Sequence, residues 1–313
     1  MLDAPDLNGD ERHARRRRRR RQVIRRRIVT SVVIVGALAG GAVLVARTTG
    51  SHGSAQGGPT ATSTVKEPTP EKPTTSTQGE TDDEAVDRAL ERYVSLGLPV
   101  YRGGGKGKYV ALTFDDGPGP MSPQLVDKLE SHGFRATFFL CGTNVAGHRA
   151  VIRREARIGT LGDHTWNHPD LVRLPLADAR LQMRSTQSAV TAASGVPTRL
   201  FRPPYGSHNR AIDREATAAG MLTVLWSVDT RDSLGASWDE ILATLKRGTA
   251  PGAIILMHEN HGQTQKALNR YLPWLQRQGY TAVTVPELLA LDPPPVDKVR
   301  REARASGGAR GGS

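Results

Sequence analysis

The sequence predicts an α/β fold built on parallel strands, either a barrel or a doubly wound sheet. From about residue 108 onward, strand-like and helix-like segments alternate seven times. The helical segments are long enough to cross back over a sheet, which is the connection that parallel strands require. Polar clusters also follow five of the predicted strands. In both architectures functional groups gather at that end of the strands, so we expect one site there.

Length and charge limit the possible functions. The chain has 313 residues, enough for one domain of barrel size with tails. Of the net charge of +12, residues 1–27 contribute +7, from 11 arginines against 4 acidic residues, and residues 293–313 contribute +3. Only +2 remains for the part between, so we expect no specific nucleic-acid binding by the domain. The single cysteine, Cys141, lies in an apolar run and is expected to be a buried structural thiol.

The N-terminus has the pattern of a membrane anchor. Residues 1–27 form an Arg-rich tail, and Ile28 to Ala46 is a stretch of 19 residues without a charge. That length spans a hydrocarbon core of about 30 Å, and arginine before the span places the tail in the cytoplasm and the rest outside. We therefore expect a single-pass protein of the cell membrane with an extracellular domain. The arginine run would contact anionic lipid headgroups.

Two other readings of this segment also export the chain. Residues 37–39 have the small-x-small form of a signal-peptide cleavage site, which would give a secreted protein. Arg26 and Arg27 give weak support for a twin-arginine signal. The uncleaved anchor is preferred because the span is longer than an ordinary signal core of about 7–15 residues.

Low-complexity segments flank the predicted domain. Residues 47–82 are rich in Thr, Pro, Ser and Gly, and residues 292–313 are basic and Gly-rich, so both are expected to be disordered. Residues 83–104 are read as an amphipathic helix, ending at Gly97, and a lead-in to the domain. The domain itself is placed at residues 105–291.

The predicted elements follow in order. The strands are expected at 109–114, 136–140, 160–163, 199–202, 222–228, 253–258 and 280–285. The helices are expected at 122–133, 148–157, 176–194, 210–219, 238–247 and 264–278.

Two adjacent carboxylates end the first strand. Asp115 and Asp116 run into Gly117-Pro118, and a chain that leaves the strand there can turn both carboxylates towards one opening. Adjacent carboxylates repel, so a cation on one would leave the other free as a base. By themselves they could equally be two solvated Asp at a turn.

Polar residues with plausible roles follow the other strands. His164 and His168 have the i, i+4 spacing that suits one metal ion, although such a pair is often incidental. Arg202 begins a stiff Pro-Pro turn and can grip a carboxylate, unless the turn is only a rigid surface feature. His258 follows an apolar strand and could be either a buried core residue or a catalytic acid. Asp232 could pair with it and raise its pKa.

Taken together, five motifs resemble the NodB-type polysaccharide deacetylases, also called carbohydrate esterase family 4. They are Thr-Phe-Asp-Asp-Gly at 113–117, His-Thr-Trp-Asn-His at 164–168, Arg-Pro-Pro-Tyr-Gly at 202–206, Asp-Thr-Arg-Asp at 229–232 and Leu-Met-His at 256–258. The resemblance covers about residues 105–291. It implies a distorted (β/α)₇ barrel and metal-dependent removal of acetyl groups from N-acetylated, or sometimes O-acetylated, sugars.

The resemblance also implies a role for each motif residue. The metal ligands would be Asp116, His164 and His168. Asp115 would be the general base, and Arg202 would position it. His258 would be the general acid, and Asp232 would tune it. The Tyr205 backbone N–H would help bind the oxyanion, and Leu256 would line the acetyl pocket. Where the family usually has Trp after the last Asp, this chain has Ser233. The substitution predicts an altered pocket or weaker activity.

The expected cofactor is one divalent metal, with Zn²⁺ favoured by two His and one Asp and Co²⁺ or Ni²⁺ also possible. The expected partner is an acetylated polysaccharide, first N-acetylglucosamine units of peptidoglycan or a chitin-like glycan, and we expect a monomer. The alternative hypotheses are a membrane-tethered carbohydrate-binding pseudoenzyme of the same fold and an O-acetyl xylan esterase.

Overall fold

The computed structural model describes residues 77–308, with side chains from 83 to 305. The predicted Arg-rich tail, the predicted span from Ile28 to Ala46 and most of the predicted linker lie outside the described residues. Among the helices of residues 77–308, none is both long and apolar enough to cross a membrane.

A single parallel sheet forms the centre of the domain. Its strands are β1 (Tyr109–Gly117), β2 (Ala136–Leu140), β3 (Gly159–Asp163), β4 (Leu200–Phe201), β5 (Leu222–Thr223), β6 (Val228–Asp229), β7 (Ala253–His258) and β8 (Thr281–Val283). The order is β5-β4-β3-β2-β1-β7-β6, and β8 pairs with the start of β1. Central strands such as β2 and β7 are buried throughout, as expected when helices cover a parallel sheet.

Helices connect the strands. They are α1 (Thr77–Leu96), α2 (Ser122–Ser131), α3 (Gly142–Val145), α4 (Arg149–Ile158), α5 (Leu176–Ser194), α6 (Arg210–Ala218), α7 (Trp238–Gly248), α8 (Gly262–Arg277), α9 (Val285–Leu291) and α10 (Val296–Gly308). Three short 3₁₀ turns, at Leu171–Arg173, Pro204–Gly206 and Asp232–Leu234, lie in the loops after β3, β4 and β6.

The sheet is a half-barrel of the predicted (β/α)₇ type. β5 and β6 follow one another in the chain but lie at opposite edges of the sheet, where β5 pairs with β4 and β6 pairs with β7. The single strand predicted at 222–228 is therefore wrong, because the chain crosses between the two edges in its middle. Val100 partly fills this break through hydrogen bonds with Thr223 and Leu225.

The flanks of the domain also differ from expectation. α1 begins at Thr77, inside the segment that the sequence predicted to be linker, and it packs on the domain through Leu90 and Tyr93. The disordered tail predicted from residue 292 is wrong for residues 296–308, which form α10. Val299 anchors that helix in the same apolar cluster, and the Tyr93 hydroxyl donates to the Pro294 carbonyl at 2.8 Å. The Gly and Arg content of this segment concealed a helix that buries an apolar residue, Val299.

Candidate active site

The register of β1 against β7 brings two of the predicted site residues side by side. Asp115 lies opposite His258, and Thr113 lies opposite Leu256. Because side chains alternate along a strand, Thr113 faces the same way as Asp115, and Leu256 faces the same way as His258. The sheet thus places a carboxyl and an imidazole on neighbouring strands at its carboxyl edge.

Asp115 is buried and held by Arg202. The Arg202 Nη1 donates to Asp115 Oδ1 at 2.7 Å and to Thr113 Oγ1 at 2.8 Å. Its other nitrogens donate to the Val224 and Leu225 carbonyls, both at 3.1 Å, in the break of the sheet. Arg202 is fully buried, and each of its three nitrogens has a hydrogen-bond partner, so these four bonds fix the position of the guanidinium. Burial raises the pKa of Asp115, although the Arg202 charge opposes that shift, which makes the carboxylate a stronger base.

His258 is held by Asp232 in the same manner. Asp232 Oδ1 accepts from the His258 Nδ1 at 2.7 Å, and its Oδ2 accepts from the His258 backbone N–H at 2.7 Å and from the Thr264 hydroxyl at 2.6 Å. Burial alone would lower the pKa of His258, but the hydrogen bond to Asp232 and the charges of Asp115 and Asp232 raise it to about 9. The imidazole therefore carries a proton at neutral pH.

Asp116, His164 and His168 converge beside this pair. The His164 and His168 Nε2 atoms lie 3.6 and 3.5 Å from Asp116 Oδ1, and the three potential ligand atoms all lie within 4.8 Å of one another. His164 Nδ1 is bound to the Arg202 carbonyl at 2.7 Å, which leaves its Nε2 lone pair facing the other two groups. Burial lowers the pKa of His164 to about 3, so this imidazole is neutral, as a metal ligand must be.

The spacing fits a divalent metal ion. Two ligands each about 2.1 Å from a tetrahedral ion lie about 3.4 Å apart, close to the separations of both imidazole nitrogens from the Asp116 oxygen. Two imidazoles and one carboxylate leave a further coordination position for water or substrate, as in catalytic zinc sites. Part of the triad faces solvent, since the Asp116 side chain is 38% and the His168 side chain 27% exposed.

Backbone conformation singles out the same loops. Within the described chain, the non-glycine residues with positive φ are Asp116, Thr165, His168, Tyr205 and Arg231. All five belong to the motifs after β1, β3, β4 and β6. Such conformations cost about 1–3 kcal/mol each and persist where the surrounding structure fixes them, which is typical of functional sites.

Tyr205 and Leu256 lie close to the other predicted site residues. The Tyr205 ring packs edge-on against His168, with centroids 4.6 Å apart, and its backbone N–H has no acceptor within the described part of the chain. Leu256 is buried in β7, two residues before His258 and on the same face. Ser233 is exposed and donates its backbone N–H to Asp232 Oδ1 at 2.9 Å.

Cys141 is buried and free, as predicted. Its sulfur lies 3.8 Å from Asp116 Oδ1, and burial together with the Asp116 charge raises the pKa of the thiol. The neutral thiol does not add a charged ligand to the triad.

Sequence reasoning missed several supporting residues. Thr113 donates its hydroxyl proton to the Ile255 carbonyl while it accepts from Arg202, and its place two residues before Asp115 was an available signal. Thr264 lies on α8 and had no sequence signal. Asn144, in α3, donates to the backbone carbonyl of Asp116 at 3.0 Å and so links this helix to the triad.

The comparisons with known proteins agree with this fold. A family model described as polysaccharide deacetylase matches residues 102–224. A solved peptidoglycan N-acetylglucosamine deacetylase superposes with a TM-score of 0.59 at 32% identity, over 64% of this chain and 94% of that one. The chain belongs to the polysaccharide deacetylase family.

Particular relatives are named for different substrates. The chain is 37% identical over 183 residues to the peptidoglycan-N-acetylglucosamine deacetylase PgdA of Listeria monocytogenes, covering 58% of this chain and 39% of that protein. It is 35% identical over 197 residues to a chitooligosaccharide deacetylase of Bradyrhizobium sp., covering 57% and 90%. A structure from Bacillus anthracis, described as a pseudoenzyme of carbohydrate esterase family 4, matches with a TM-score of 0.58 at 33% identity over 64% and 70%.

Proposed function

We propose that this protein is a metal-dependent hydrolase that removes acetyl groups from N-acetylated polysaccharide of the cell wall. The observation that carries the proposal is the pairing of Asp115 with His258 across β1 and β7, next to the Asp116–His164–His168 triad. A base and an acid on either side of a cation site are the groups that amide hydrolysis needs. The relatives named for peptidoglycan and chitooligosaccharide support the N-acetylated substrate.

The residues of this chain divide the reaction between them. Asp115, with its position fixed by Arg202, takes the proton of the attacking water. The Tyr205 backbone N–H donates to the oxyanion that forms at the acetyl carbon. His258, charged through its bond to Asp232, gives its Nε2 proton to the departing amine, which cannot leave as an anion. Leu256 supplies an apolar contact for the acetyl methyl group.

Asp116, His164 and His168 would hold the cation. When bound, a divalent metal supplies Lewis acidity towards the acetyl carbonyl and lowers the pKa of water. Zn²⁺ is the proposed ion because catalytic zinc sites in proteins commonly have three ligands of the imidazole and carboxylate type. Co²⁺ and Ni²⁺ can bind the same ligands.

A carbohydrate-binding role without catalysis is the second candidate. The Bacillus anthracis pseudoenzyme is a structural relative, and Ser233 stands where the family usually has Trp. The buried pairs Asp115–Arg202 and His258–Asp232 favour the enzyme, since a protein that only binds sugar has no need to raise the pKa of either group.

We also propose that the domain works outside the cell, tethered by the uncharged segment from Ile28 to Ala46. The motive is the 19-residue apolar length directly after the arginine run. A reporter fused after Ser313 should be active outside the membrane, and the chain should remain membrane-bound at full mass. Release of a soluble form that begins near Gly40 would establish a cleaved signal peptide instead.

Acetate release tests the activity directly. The full chain is assayed against peptidoglycan, N-acetylglucosamine oligomers and acetylated xylan, with zinc supplied and then with a chelator. The proposal predicts release from at least one N-acetylated glycan, loss of release with chelator and recovery when zinc is restored. Sugar binding without acetate release from any of these glycans would favour the binding protein.

A further inference from the structure

A second concave surface begins beside the active site and is strongly basic. It is a groove of about 1100 Å³ between α6, α10, the 3₁₀ turn at Leu171–Arg173 and the segment 97–99. Two residues of its lining lie close in the chain to residues of the site. Asp170 follows the triad residue His168 by two positions, and Ser207 follows Tyr205 by two positions.

Five arginines line this arginine groove: Arg173, Arg210, Arg214, Arg300 and Arg304. The acidic residues of the lining are Asp170 and Asp213, so five positive and two negative charges give the surface +3. Residues 28–313 carry +5 in all, +2 from 28–292 and +3 from 293–313, so the lining of this groove holds +3 of that +5. The charge is thus concentrated here rather than spread over the domain.

The positive charge of the groove has little internal neutralisation. Asp213 is bound to the His208 ring at 3.0 Å. Asp170 and Asp297 pair with Arg173 and Arg300 at i, i+3, at 3.1 and 3.5 Å, in exposed contacts that contribute little. The other three guanidiniums, on Arg210, Arg214 and Arg304, form no ion pair within the described chain.

The spacing of the arginines is costly for the helices. Arg210 and Arg214 are separated by four residues on α6, and Arg300 and Arg304 by four residues on α10, so each pair shares one helix face. Like charges at this spacing destabilise a helix by about 0.2–0.5 kcal/mol per pair. Two such pairs lining one groove produce a repulsion that a bound anion would offset.

We propose that the arginine groove binds carboxylates of the glycan on which the active site acts, so that the substrate is peptidoglycan rather than a neutral chitin-like or xylan chain. This inference rests on the proposed function. Guanidinium groups bind carboxylates through paired N–H bonds. Peptidoglycan carries carboxylates on its stem peptides, and on its lactyl groups where the stem has been removed, whereas N-acetylglucosamine oligomers carry none. In this proposal, a glycan with one sugar at the site continues past Asp170 and Ser207 into the groove.

The test compares affinities of the full chain for three probes by calorimetry. The probes are peptidoglycan strands with stem peptides, the same strands after an amidase has removed the stems, and neutral N-acetylglucosamine oligomers. The groove variant is Arg210→Gln/Arg214→Gln/Arg304→Gln. The matched control, Arg149→Gln/Arg270→Gln/Arg277→Gln, removes the same charge from exposed arginines outside the groove.

The groove variant should bind stem-bearing strands about tenfold more weakly than wild type, as three exposed ion pairs would give. Its affinity for neutral oligomers should fall much less, its binding should depend less on salt, and the control should behave as wild type. Retained affinity of wild type for stripped strands would assign lactyl carboxylates, and reduced affinity would assign stem carboxylates. Either result supports the groove as a carboxylate site.

Equal losses in the groove and control variants, or equal wild-type affinity for strands and neutral oligomers, would overturn the proposal. Vesicles of phosphatidylglycerol provide a further arm. If the groove variant loses vesicle binding but not strand binding, the groove is a membrane-facing surface and the proposal is wrong. Acetate release is assayed separately, so a protein that binds strands through the groove without releasing acetate would contradict the proposed function and not the groove.

Discussion

The two proton-transfer pairs and the triad lie at the same edge of the sheet, but their polar atoms are satisfied differently. Asp115 and Arg202 are buried, and the bonds that hold them and the His258–Asp232 pair measure 2.6–3.1 Å. In the triad, Asp116 approaches the two imidazoles only at 3.5–3.6 Å, and part of it faces solvent. The three potential ligand atoms of the triad surround a common point and are too far apart to be hydrogen-bonded to one another.

This difference separates what the fold fixes from what a ligand completes. The proton-transfer groups have their positions and pKa values set by the chain itself. The directions of the Asp116 and His168 side chains depend on an uncommon backbone conformation, because both residues have positive φ. Changes in the triad should therefore act through metal binding, and changes in the pairs should act through proton transfer with the metal retained.

The largest effect is expected from removal of both triad imidazoles. His164→Ala/His168→Ala should abolish stoichiometric metal binding and reduce acetate release to background, because one carboxylate cannot hold the ion alone. Metal content is measured by mass spectrometry after zinc reconstitution. The half-buried His132, which lies outside the triad, is the control, and His132→Ala should retain one metal per chain. Unchanged metal content in the double variant would show that the ions bind elsewhere.

Asp115→Asn should reduce kcat/KM for deacetylation by about 10²–10⁴-fold, because the amide cannot accept the proton of water. The metal should remain bound, since Asp116 and both imidazoles are unchanged. Loss of the buried partner of Arg202 can cost about 3–5 kcal/mol of stability, so thermal melts must confirm folding. The exposed Asp127→Asn is the control. A folded Asp115→Asn protein that loses its metal would mean that the two sets of residues cannot be separated.

The pH profile tests the His258–Asp232 pair. With the pKa of His258 at about 9, wild-type activity should fall as pH rises through that value and the imidazolium loses its proton. Asp232→Asn removes the negative charge that raises this pKa and leaves only a neutral, weaker acceptor for the His258 Nδ1–H, so the falling limb should move towards the ordinary histidine range near 6.5. Asp229→Asn, an exposed carboxylate of the same motif, should leave the limb in place. An unmoved limb in Asp232→Asn would exclude His258 as the titrating acid.

A smaller effect is expected from two carboxyls, those of Glu155 and Glu259, which are buried next to each other. Burial, and then the charge of Glu259, hold the pKa of Glu155 well above its ordinary value of 4.5. The folded chain thus keeps a proton that the unfolded chain gives up above that pH, so this group weakens folding as pH rises. Glu155→Gln should raise Tm at pH 8 by about 2–4 °C, with a gain that shrinks towards pH 4.5. The exposed Glu130→Gln should show no such pH-dependent gain.

The sequence predicted most of the elements because their patterns are local. β2, β7 and α5 have the predicted bounds, since each is an uninterrupted apolar or amphipathic run. The strand predicted at 222–228 failed because its break depends on which edges of the sheet its two halves reach. α10 was missed because its order depends on one buried residue, Val299, that packs on a helix about 200 residues earlier.

The site was predictable to the extent that its residues lie in recognisable motifs. All nine predicted side chains gather at the carboxyl edge of the sheet, and the pairing of Asp232 with His258 follows from the expectation that one would tune the other. The part played by Thr264 and the burial of Glu155 against Glu259 were not predictable, because each depends on long-range packing. Thr264, Glu155 and Glu259 all lie outside the five motifs.

The measurement that tests the account most directly compares amide and aryl-ester substrates in wild type and His258→Ala. An amine leaves only when protonated, whereas an activated phenolate leaves without a proton. His258→Ala should therefore lose about 10²–10⁴-fold of its acetamide turnover and much less of its aryl acetate turnover, with the metal retained. The ratio of amide to ester turnover should fall sharply. If that ratio is the same in both proteins, His258 does not protonate the leaving group and the assignment of the acid is wrong.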